Sequence, residues 1–167
     1  AAALTLSNGE GCGHLIPGTG IMLNNMLGEE DINPDGFNAW PQNRRMTSMM
    51  APSMLQLHDG RSIALGSGGS NRIRSAILQV LLRVVDEQLS LGQAIDRPRI
   101  HYENGLLHIE GGFEDALYTQ LENEFDRHRC WPDRNLFFGG VHAVSKNRAE
   151  FECHGDQRRG GVAHSVF

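Results

Sequence analysis

One glycine-rich stretch, Gly66-Ser-Gly-Gly-Ser70, constrains the fold most. It follows an alternating apolar run at 61–65 and precedes an apolar stripe at i, i+3, i+4 and i+7 spacing that continues to about Gln88. The alternation predicts a strand, and the stripe predicts an amphipathic helix packed on a sheet, with Ser70 or Asn71 as its N-cap. Because the first N–H groups of a helix lack partners within it, the stretch predicts a backbone site for an anion.

The glycine-rich stretch matches neither of the common nucleotide-binding motifs. No lysine follows the glycines as a nucleotide-binding P-loop requires, and the GxGxxG pattern of dinucleotide sites is absent. Two interpretations remain. The stretch is a tight strand-to-helix turn, or its N–H groups form an oxyanion hole for acyl transfer.

The rest of the chain predicts an α+β fold. Asp59-Gly60 between two alternating runs indicates a β-hairpin, and 1–6 has the alternation of a strand. Asn33-Pro-Asp-Gly36 indicates a turn inside a long irregular stretch at 26–45, and the segment 20–25 fits a strand or a buried turn. Further strands are predicted at 99–102, 106–109, 136–145 and 149–153, and further helices at 91–96 and 113–128. Hairpins grouped with helices favour helices layered over an antiparallel sheet.

Composition excludes several classes of protein. The 167 residues, 40% hydrophobic and 21% charged, favour one domain over 1–167. A net charge of −5 without a basic block argues against a nucleic-acid partner, and no apolar run is long enough for a membrane span. The three cysteines are scattered and the histidines lack metal-site spacing, so unpaired thiols and no metal site are expected.

Two polar groups are candidates for ligand binding. Thr47-Ser48 offers adjacent hydroxyls that can donate to a carboxylate, although such pairs more often form a turn or cap. The acidic run Glu29–Asp31 follows two asparagines and can hold an ammonium group, although spacing alone favours solvated surface. No serine lies in a GxSxG motif, and no Cys–His signature is evident. Residue patterns alone therefore lead to an α+β domain with a candidate anion loop.

Ordered motifs add a family resemblance. They are PGTGIMLNN at 17–25, RRMTSMMAPS at 44–53, GSGGSNRI at 66–73, AIDRPRIH at 94–101 and GDQRRGG at 155–161. Together they closely resemble the small subunit of γ-glutamyltranspeptidases (γ-glutamyltransferases). The resemblance implies a partial N-terminal-nucleophile hydrolase αββα sandwich. It also implies a self-cleaving precursor whose new N-terminal threonine attacks the γ-amide of glutathione or a similar compound and passes the acyl group to water or an amine.

The resemblance implies catalytic roles for three residues. Gly69 and Ser70 occupy the positions of the family's paired glycines, whose N–H groups form the oxyanion hole. An N–H group needs no glycine, so Ser70 can serve, and Gly68 can shift in instead. Thr5 matches the family threonine that hydrogen-bonds the nucleophile.

The resemblance also implies substrate contacts. Thr47 and Ser48 match a Ser-Ser pair that binds the substrate α-carboxylate, and Glu29 matches the acidic residue that pairs with the α-ammonium. Ser7 lies where the family commonly has an asparagine that contacts the α-amino group. Met26 lies where it has Gln or Glu, which a thioether cannot replace.

The expectation for the whole is an enzyme part that needs a partner. The family's nucleophilic threonine belongs to a strand upstream of the Thr5 position, so this chain is expected to be inactive without the large subunit and the rest of its precursor. No cofactor is implied. A periplasmic or extracellular parent and a homo-oligomer of the isolated chain are also expected. The alternatives are a cephalosporin or glutaryl acylase, a poly-γ-glutamate-processing enzyme, and a non-catalytic structural or binding member.

Overall fold

A computed structural model describes residues 2–8, 10–37 and 39–165. Its helices and strands, in chain order, are β1 (Ser53–Gln56), β2 (Ser62–Gly68), α1 (Arg72–Val85), α2 (Leu91–Asp96), β3 (Ile100–Glu103), β4 (Leu106–Ile109), α3 (Asp115–Glu124), β5 (His128–Cys130), β6 (Gly140–Asn147) and β7 (Glu150–His154). Short 3-10 turns cover Met26–Gly28, Glu30–Ile32, Leu136–Phe138 and Gln157–Arg159. The predicted α+β class is confirmed.

The main sheet is antiparallel, with strand order β1-β2-β6-β7. The predicted Asp59-Gly60 hairpin joins β1 to β2, and β2 pairs with β6 so that Leu65 lies opposite Ala143 and Gly68 opposite Gly140. Gly66–Gly68, predicted as loop, therefore belong to the strand. This pairing holds the end of β2 rigidly, and helix α1 begins only four residues beyond it.

One face of this sheet carries the core. Ile63, Leu65 and Val141 pack against the buried stripe of α1 and against α2. The capping box of Ser90 and Gln93 begins α2, which ends as predicted before Pro98. The amphipathic stripe thus covers the sheet as its periodicity predicts.

The opposite face of the main sheet is uncovered in the described part of the chain. Met54, Val144 and Phe151 have 63%, 41% and 60% of their surface exposed. The segment 2–8 runs near this face, and the Thr5 methyl lies 2.9 Å from the position that a Cβ on Gly66 would occupy. Helices α1 and α2 therefore cover one face of the main sheet, and the opposite face, called the open sheet face below, has no helix packed on it in the described structure.

The N-terminal predictions need correction. Residues 2–6 form no strand, because no strand within 2–8, 10–37 or 39–165 pairs with them; Ala1 lies outside the described residues. The stretch 20–25 is neither a strand nor buried: an isolated bridge joins Leu15 to Met22, and Ile21 is exposed. The predicted Asn33–Gly36 turn is confirmed by a 3.0 Å hydrogen bond from the Gly36 N–H to the Asn33 carbonyl.

The second sheet has strand order β3-β4-β5, and here too the predictions were partly wrong. The hairpin of β3 and β4 is confirmed. The helix predicted at 113–128 is only Asp115–Glu124, and β5 follows it, parallel to β4. The strand predicted from 136 begins at Gly140, after a 3-10 turn. β5 is short, and its partner lies about twenty residues earlier, so no local pattern reveals it.

A buried charge network ties the second sheet to the end of the chain. Arg99 donates to Asp156 over 2.7 Å, and Arg158 donates to Glu110 over 2.7 Å through both Nε and Nη2. All four side chains are almost completely buried. The network fixes the turn Gln157–Arg159 against β6.

Candidate active site

The glycine loop presents two free backbone donors. Among the described residues, neither the Gly69 nor the Ser70 N–H group has a hydrogen-bond acceptor. Gly69 has φ = +123°, and a Cβ there would lie 2.9 Å from the Cα of Gly139, so only glycine fits. The two N–H groups immediately precede α1, where the helix dipole adds positive potential. This is the arrangement that an oxyanion hole needs.

Ser70 holds an unusual conformation. Its φ of +53° lies in the left-handed region, which costs a non-glycine residue free energy. Its hydroxyl donates to the carboxylate of Asp31. Ser70 is therefore not the side-chain N-cap predicted for α1, and the Asn71 side chain makes no cap hydrogen bond either.

The loop lies on a cavity of about 590 Å³. Its lining combines the loop with acidic, basic and apolar side chains: Leu6, Asn8, Glu10, Asn25, Glu29, Glu30, Asp31, Met49, Met50, Gly68, Gly69, Ser70, Arg72 and Arg159. Of the predicted site residues, the structure thus brings Gly69, Ser70 and Glu29 to one cavity.

Glu29 has the electrostatics of a cation site. Partial burial raises the pKa of its carboxyl group, and the negative charges of Asp31 and Glu10 raise it further. A bound ammonium group would relieve both effects, because it replaces lost solvation and offsets neighbouring negative charge.

Two arginines line the same cavity, and they were missed from the sequence as site residues. Arg72 Nε donates to the Phe137 carbonyl over 3.3 Å, and its guanidinium stacks 4.8 Å from the Phe137 ring centre. Arg159 Nη2 donates to the Leu136 carbonyl over 3.1 Å. Burial and the nearby charge of Arg72 lower the pKa of Arg159, so an anion between the two guanidinium groups would be favoured. Arg72 lies two residues after the glycine loop, at the start of α1, which is a usable signal; Arg159 is brought in from the far end of the chain.

Thr5 lines a second cavity. This cavity, of about 520 Å³, lies over the open sheet face and includes Gly66 and His142. Gly68 lines both cavities, so they adjoin at the glycine loop. Thr5 is therefore near the loop, but it lines a different cavity from Glu29.

The remaining predicted residues, Ser7, Thr47 and Ser48, are absent from the linings of both cavities. Ser7 Oγ lies 3.3 Å from Ser48 Oγ, and the Met50 N–H donates to Ser48 Oγ over 3.2 Å. Thr47 Oγ1 donates to the Ile32 carbonyl over 3.2 Å. Their hydroxyls thus have protein partners, while the methionines that follow them line the cavity.

Comparisons with known proteins show the family of the chain. The sequence model of the family described as gamma-glutamyltranspeptidase matches residues 1–166. The capsule biosynthesis protein CapD proenzyme of Bacillus anthracis is 32% identical over 163 residues, 95% of this chain and 29% of the relative. The glutathione hydrolase proenzyme of Bacillus subtilis (strain 168) is 34% identical over 160 residues, 93% of this chain and 27% of the relative. The chain thus spans less than a third of the length of these relatives.

A solved structure is similar over most of its own chain. The gamma-glutamyltranspeptidase from Pseudomonas nitroreducens complexed with L-DON superposes with a TM-score of 0.76 and 26% sequence identity. The match covers 94% of the present chain and 88% of the chain in that structure. This likeness confirms the predicted N-terminal-nucleophile hydrolase fold.

Proposed function

Because the chain belongs to the γ-glutamyltranspeptidase family, we propose that it forms part of a γ-glutamyl transferase or hydrolase acting on glutathione and related γ-glutamyl compounds. One observation carries the proposal. The free N–H groups of Gly69 and Ser70 line a cavity that is also lined by four acidic side chains, Glu29 among them, and by two guanidinium groups. A γ-glutamyl group offers complementary charges at its α-ammonium and α-carboxylate, and it offers a carbonyl that becomes an oxyanion.

The chemistry follows from these donors. A threonine hydroxyl supplied from outside residues 1–167 attacks the γ-carbonyl carbon, and the threonine's own amino group acts as the base that takes the hydroxyl proton. The Gly69 and Ser70 N–H groups stabilise the oxyanion of the tetrahedral intermediate. The C–N bond then breaks, the proton passes to the leaving amine, and a γ-glutamyl ester remains. Water or an acceptor amine attacks that ester and releases the threonine. Thr5 is placed to hydrogen-bond the nucleophile from the adjoining cavity.

The charged groups orient the acyl part of the substrate. Glu29 takes the α-ammonium, and Arg72 and Arg159 supply charge for the α-carboxylate, which the Thr47 and Ser48 hydroxyls reach by exchanging their present partners. Ser7 is held next to Ser48 and contributes at the ammonium side. Arginine suits this task because its fixed fork of donors matches a carboxylate.

The exposed apolar residues of the open sheet face favour a second polypeptide that packs on it. Exposed Met54, Val144 and Phe151 need cover, and a large subunit with the remainder of the precursor provides it in this proposal. The isolated chain is then inactive, and its open face and sheet edges lead it to associate with itself. A monomeric mass by light scattering at micromolar concentration would contradict that association.

The whole protein is proposed to be periplasmic or extracellular. In the part of the chain that the structure describes, no helix is long and apolar enough to cross a membrane.

An assay with γ-glutamyl-p-nitroanilide tests the function. The full-length protein is expected to release nitroaniline, and the isolated chain is not. Release by the isolated chain would disprove the need for a partner. No release by either protein would favour another acyl substrate or a non-catalytic binding member.

A related acylase or poly-γ-glutamate-processing enzyme is the second candidate. Two positions depart from the family's pattern. Ser7, which contacts Ser48, replaces an asparagine that contacts the α-amino group, and Met26, which is buried in the described structure, replaces a Gln or Glu. The two arginines still suit a dicarboxylic acyl group. Glutaryl-p-nitroanilide, which has the same carboxylate but no ammonium, separates the candidates: faster release from it than from the γ-glutamyl compound would favour an acylase.

A further inference from the structure

Asp31 connects two segments of the candidate active site. It lies in the 3-10 turn Glu30–Ile32, directly after Glu29, and its carboxylate accepts a hydrogen bond from the hydroxyl of Ser70. The same Oδ2 atom lies 3.6 Å from Nη1 of Arg72. No other described residue contacts both the donor loop and the first turn of α1 through one side-chain oxygen.

The turn that carries Asp31 is itself held firmly. Ile32 is buried, and the Asn33 side-chain amide donates to the Met26 carbonyl over 2.9 Å and to the Glu29 carbonyl over 2.6 Å. A carboxylate on a fixed turn can therefore impose a position on the loop that it contacts.

Ser70 needs such a constraint. At φ = +53° a serine pays a conformational cost that a glycine would not, and the loop would relax toward negative φ without compensation. A rotation at Ser70 would move its N–H group, one of the two proposed oxyanion donors. We propose that Asp31 is a positioning residue that holds Ser70 in the left-handed conformation and so aims the Ser70 N–H group at the oxyanion. This inference rests on the proposed function.

The energetic logic is that of a charge-assisted hydrogen bond opposing local strain. Hydrogen bonds to an ionised carboxylate are about twice as strong as neutral ones. A left-handed conformation is disfavoured for a residue that has a side chain. Loss of the Asp31 carboxylate removes the hydrogen bond that opposes this strain and so frees the loop.

The kinetic test uses the full-length protein and the substrate γ-glutamyl-p-nitroanilide. Asp31→Ala and Ser70→Ala are each expected to lower kcat about tenfold, because the donor is displaced rather than removed. Ser70→Gly is expected to lower kcat less than Ser70→Ala does, since glycine accepts positive φ without the hydroxyl. Asp31→Asn, which keeps an acceptor oxygen, is expected to recover part of the loss.

The decisive comparison is Asp31→Ala in the Ser70→Gly protein. If Asp31 acts through Ser70, the second substitution changes kcat less than about twofold there, by the logic of a double-mutant cycle. A full tenfold loss in the Ser70→Gly background would overturn the proposal, since Asp31 would then act on something else. Asp35→Ala, an exposed acidic residue of the neighbouring turn with no side-chain partner in the described structure, is the matched control and should leave kcat unchanged.

A second measurement does not depend on turnover. The N–H groups of Arg72 and Ile73 donate to the Gly69 and Ser70 carbonyls over 3.1 and 3.0 Å, so their hydrogen exchange reports the loop conformation. Faster exchange in a peptide covering 71–75 is expected in Asp31→Ala and not in Asp35→Ala. Equal exchange in both would overturn the proposal. If the natural protein turns over no acyl substrate while the exchange result holds, the proposed function fails and the positioning of Ser70 stands.

Discussion

Arg99 Nη2 lies 2.7 Å from Asp156 Oδ2, and both side chains are almost wholly buried. Asp156 also accepts from the Val141 N–H over 3.0 Å and pairs with Arg158. One carboxylate therefore compensates two buried guanidinium groups and anchors the turn that carries Arg159.

Replacing Asp156 with asparagine should destabilise the protein strongly. The variant leaves Arg99 and Arg158 with only Glu110 as a buried counter-charge, and breaking a buried pair in this way costs about 3–5 kcal/mol. Urea denaturation should show a loss of that size. Asp133→Asn, an exposed control without a side-chain partner in the described structure, should change the free energy of unfolding by less than about 0.5 kcal/mol. Equal stability of the two variants would show that the network contributes nothing net.

The same network predicts a direction for the dependence of stability on pH. Burial raises the pKa of Asp156, but Arg99 and Arg158 outweigh it and hold the pKa below its ordinary value. The unfolded chain therefore binds this proton more tightly than the folded one, and the stabilisation is complete above the ordinary aspartate pKa of about 4. It is lost as the pH falls through the ordinary value toward the folded-state pKa. The gap in urea midpoint between the natural protein and Asp156→Asn should narrow over that acid range; a constant gap would contradict the assignment.

Gly69→Ala should remove activity more than stability. The new methyl meets the Cα of Gly139, and φ = +123° is unfavourable for alanine, so the loop must shift and misplace an oxyanion donor. Loss of one such donor costs about 10²–10³ in kcat. Gly60→Ala is the control: φ is +92° there, no atom lies within 4 Å of the new methyl, and the residue belongs to the β1–β2 turn. It should lower stability and leave kcat of the full-length protein unchanged. If both variants lose kcat equally, the loss is not specific to the oxyanion loop.

Much of this architecture could be predicted from local sequence. The hairpin turn at Asp59-Gly60 and the stripe of α1 are short-range patterns, and both were found where expected. Strand β5 was missed because its partner β4 is distant in sequence and parallel. The strand predicted at 1–6 is absent from the described residues 2–6, because a strand requires a hydrogen-bonded neighbour, which alternation in the sequence cannot supply. In the site, motif resemblance selected Gly69, Ser70 and Glu29. It did not select Arg159, whose approach to the loop depends on the buried Asp156 network.

Glu29→Gln should affect substrates according to their ammonium group. KM for γ-glutamyl-p-nitroanilide should rise about tenfold or more, because a charge-assisted contact is lost, while KM for glutaryl-p-nitroanilide stays the same or falls.

Burial and the charges of Asp31 and Glu10 raise the pKa of Glu29. As the pH is lowered, the Glu29 carboxylate of the natural protein should therefore become protonated, and γ-glutamyl affinity should be lost, at a pH above the ordinary glutamate range. A KM for the γ-glutamyl substrate that stays flat across that range would argue against Glu29 as the ammonium site.

Arg159→Met should show the complementary selectivity. Methionine keeps most of the apolar stem that packs beside Gly140 and removes the guanidinium, which lines the cavity with the glycine loop. If Arg159 supplies charge for the acyl carboxylate, KM should rise about tenfold for both the γ-glutamyl and the glutaryl substrate, whereas Glu29→Gln affects only the first. Arg74→Met is the matched control, since Arg74 is exposed on α1 and absent from the cavity lining. A loss confined to kcat, with both KM values unchanged, would instead assign Arg159 to support of the glycine loop. Together, the KM changes of Glu29→Gln and Arg159→Met for the two substrates distinguish two kinds of site. One recognises both the α-ammonium and the α-carboxylate of a γ-glutamyl group, and the other recognises only the carboxylate of a dicarboxylic acyl group.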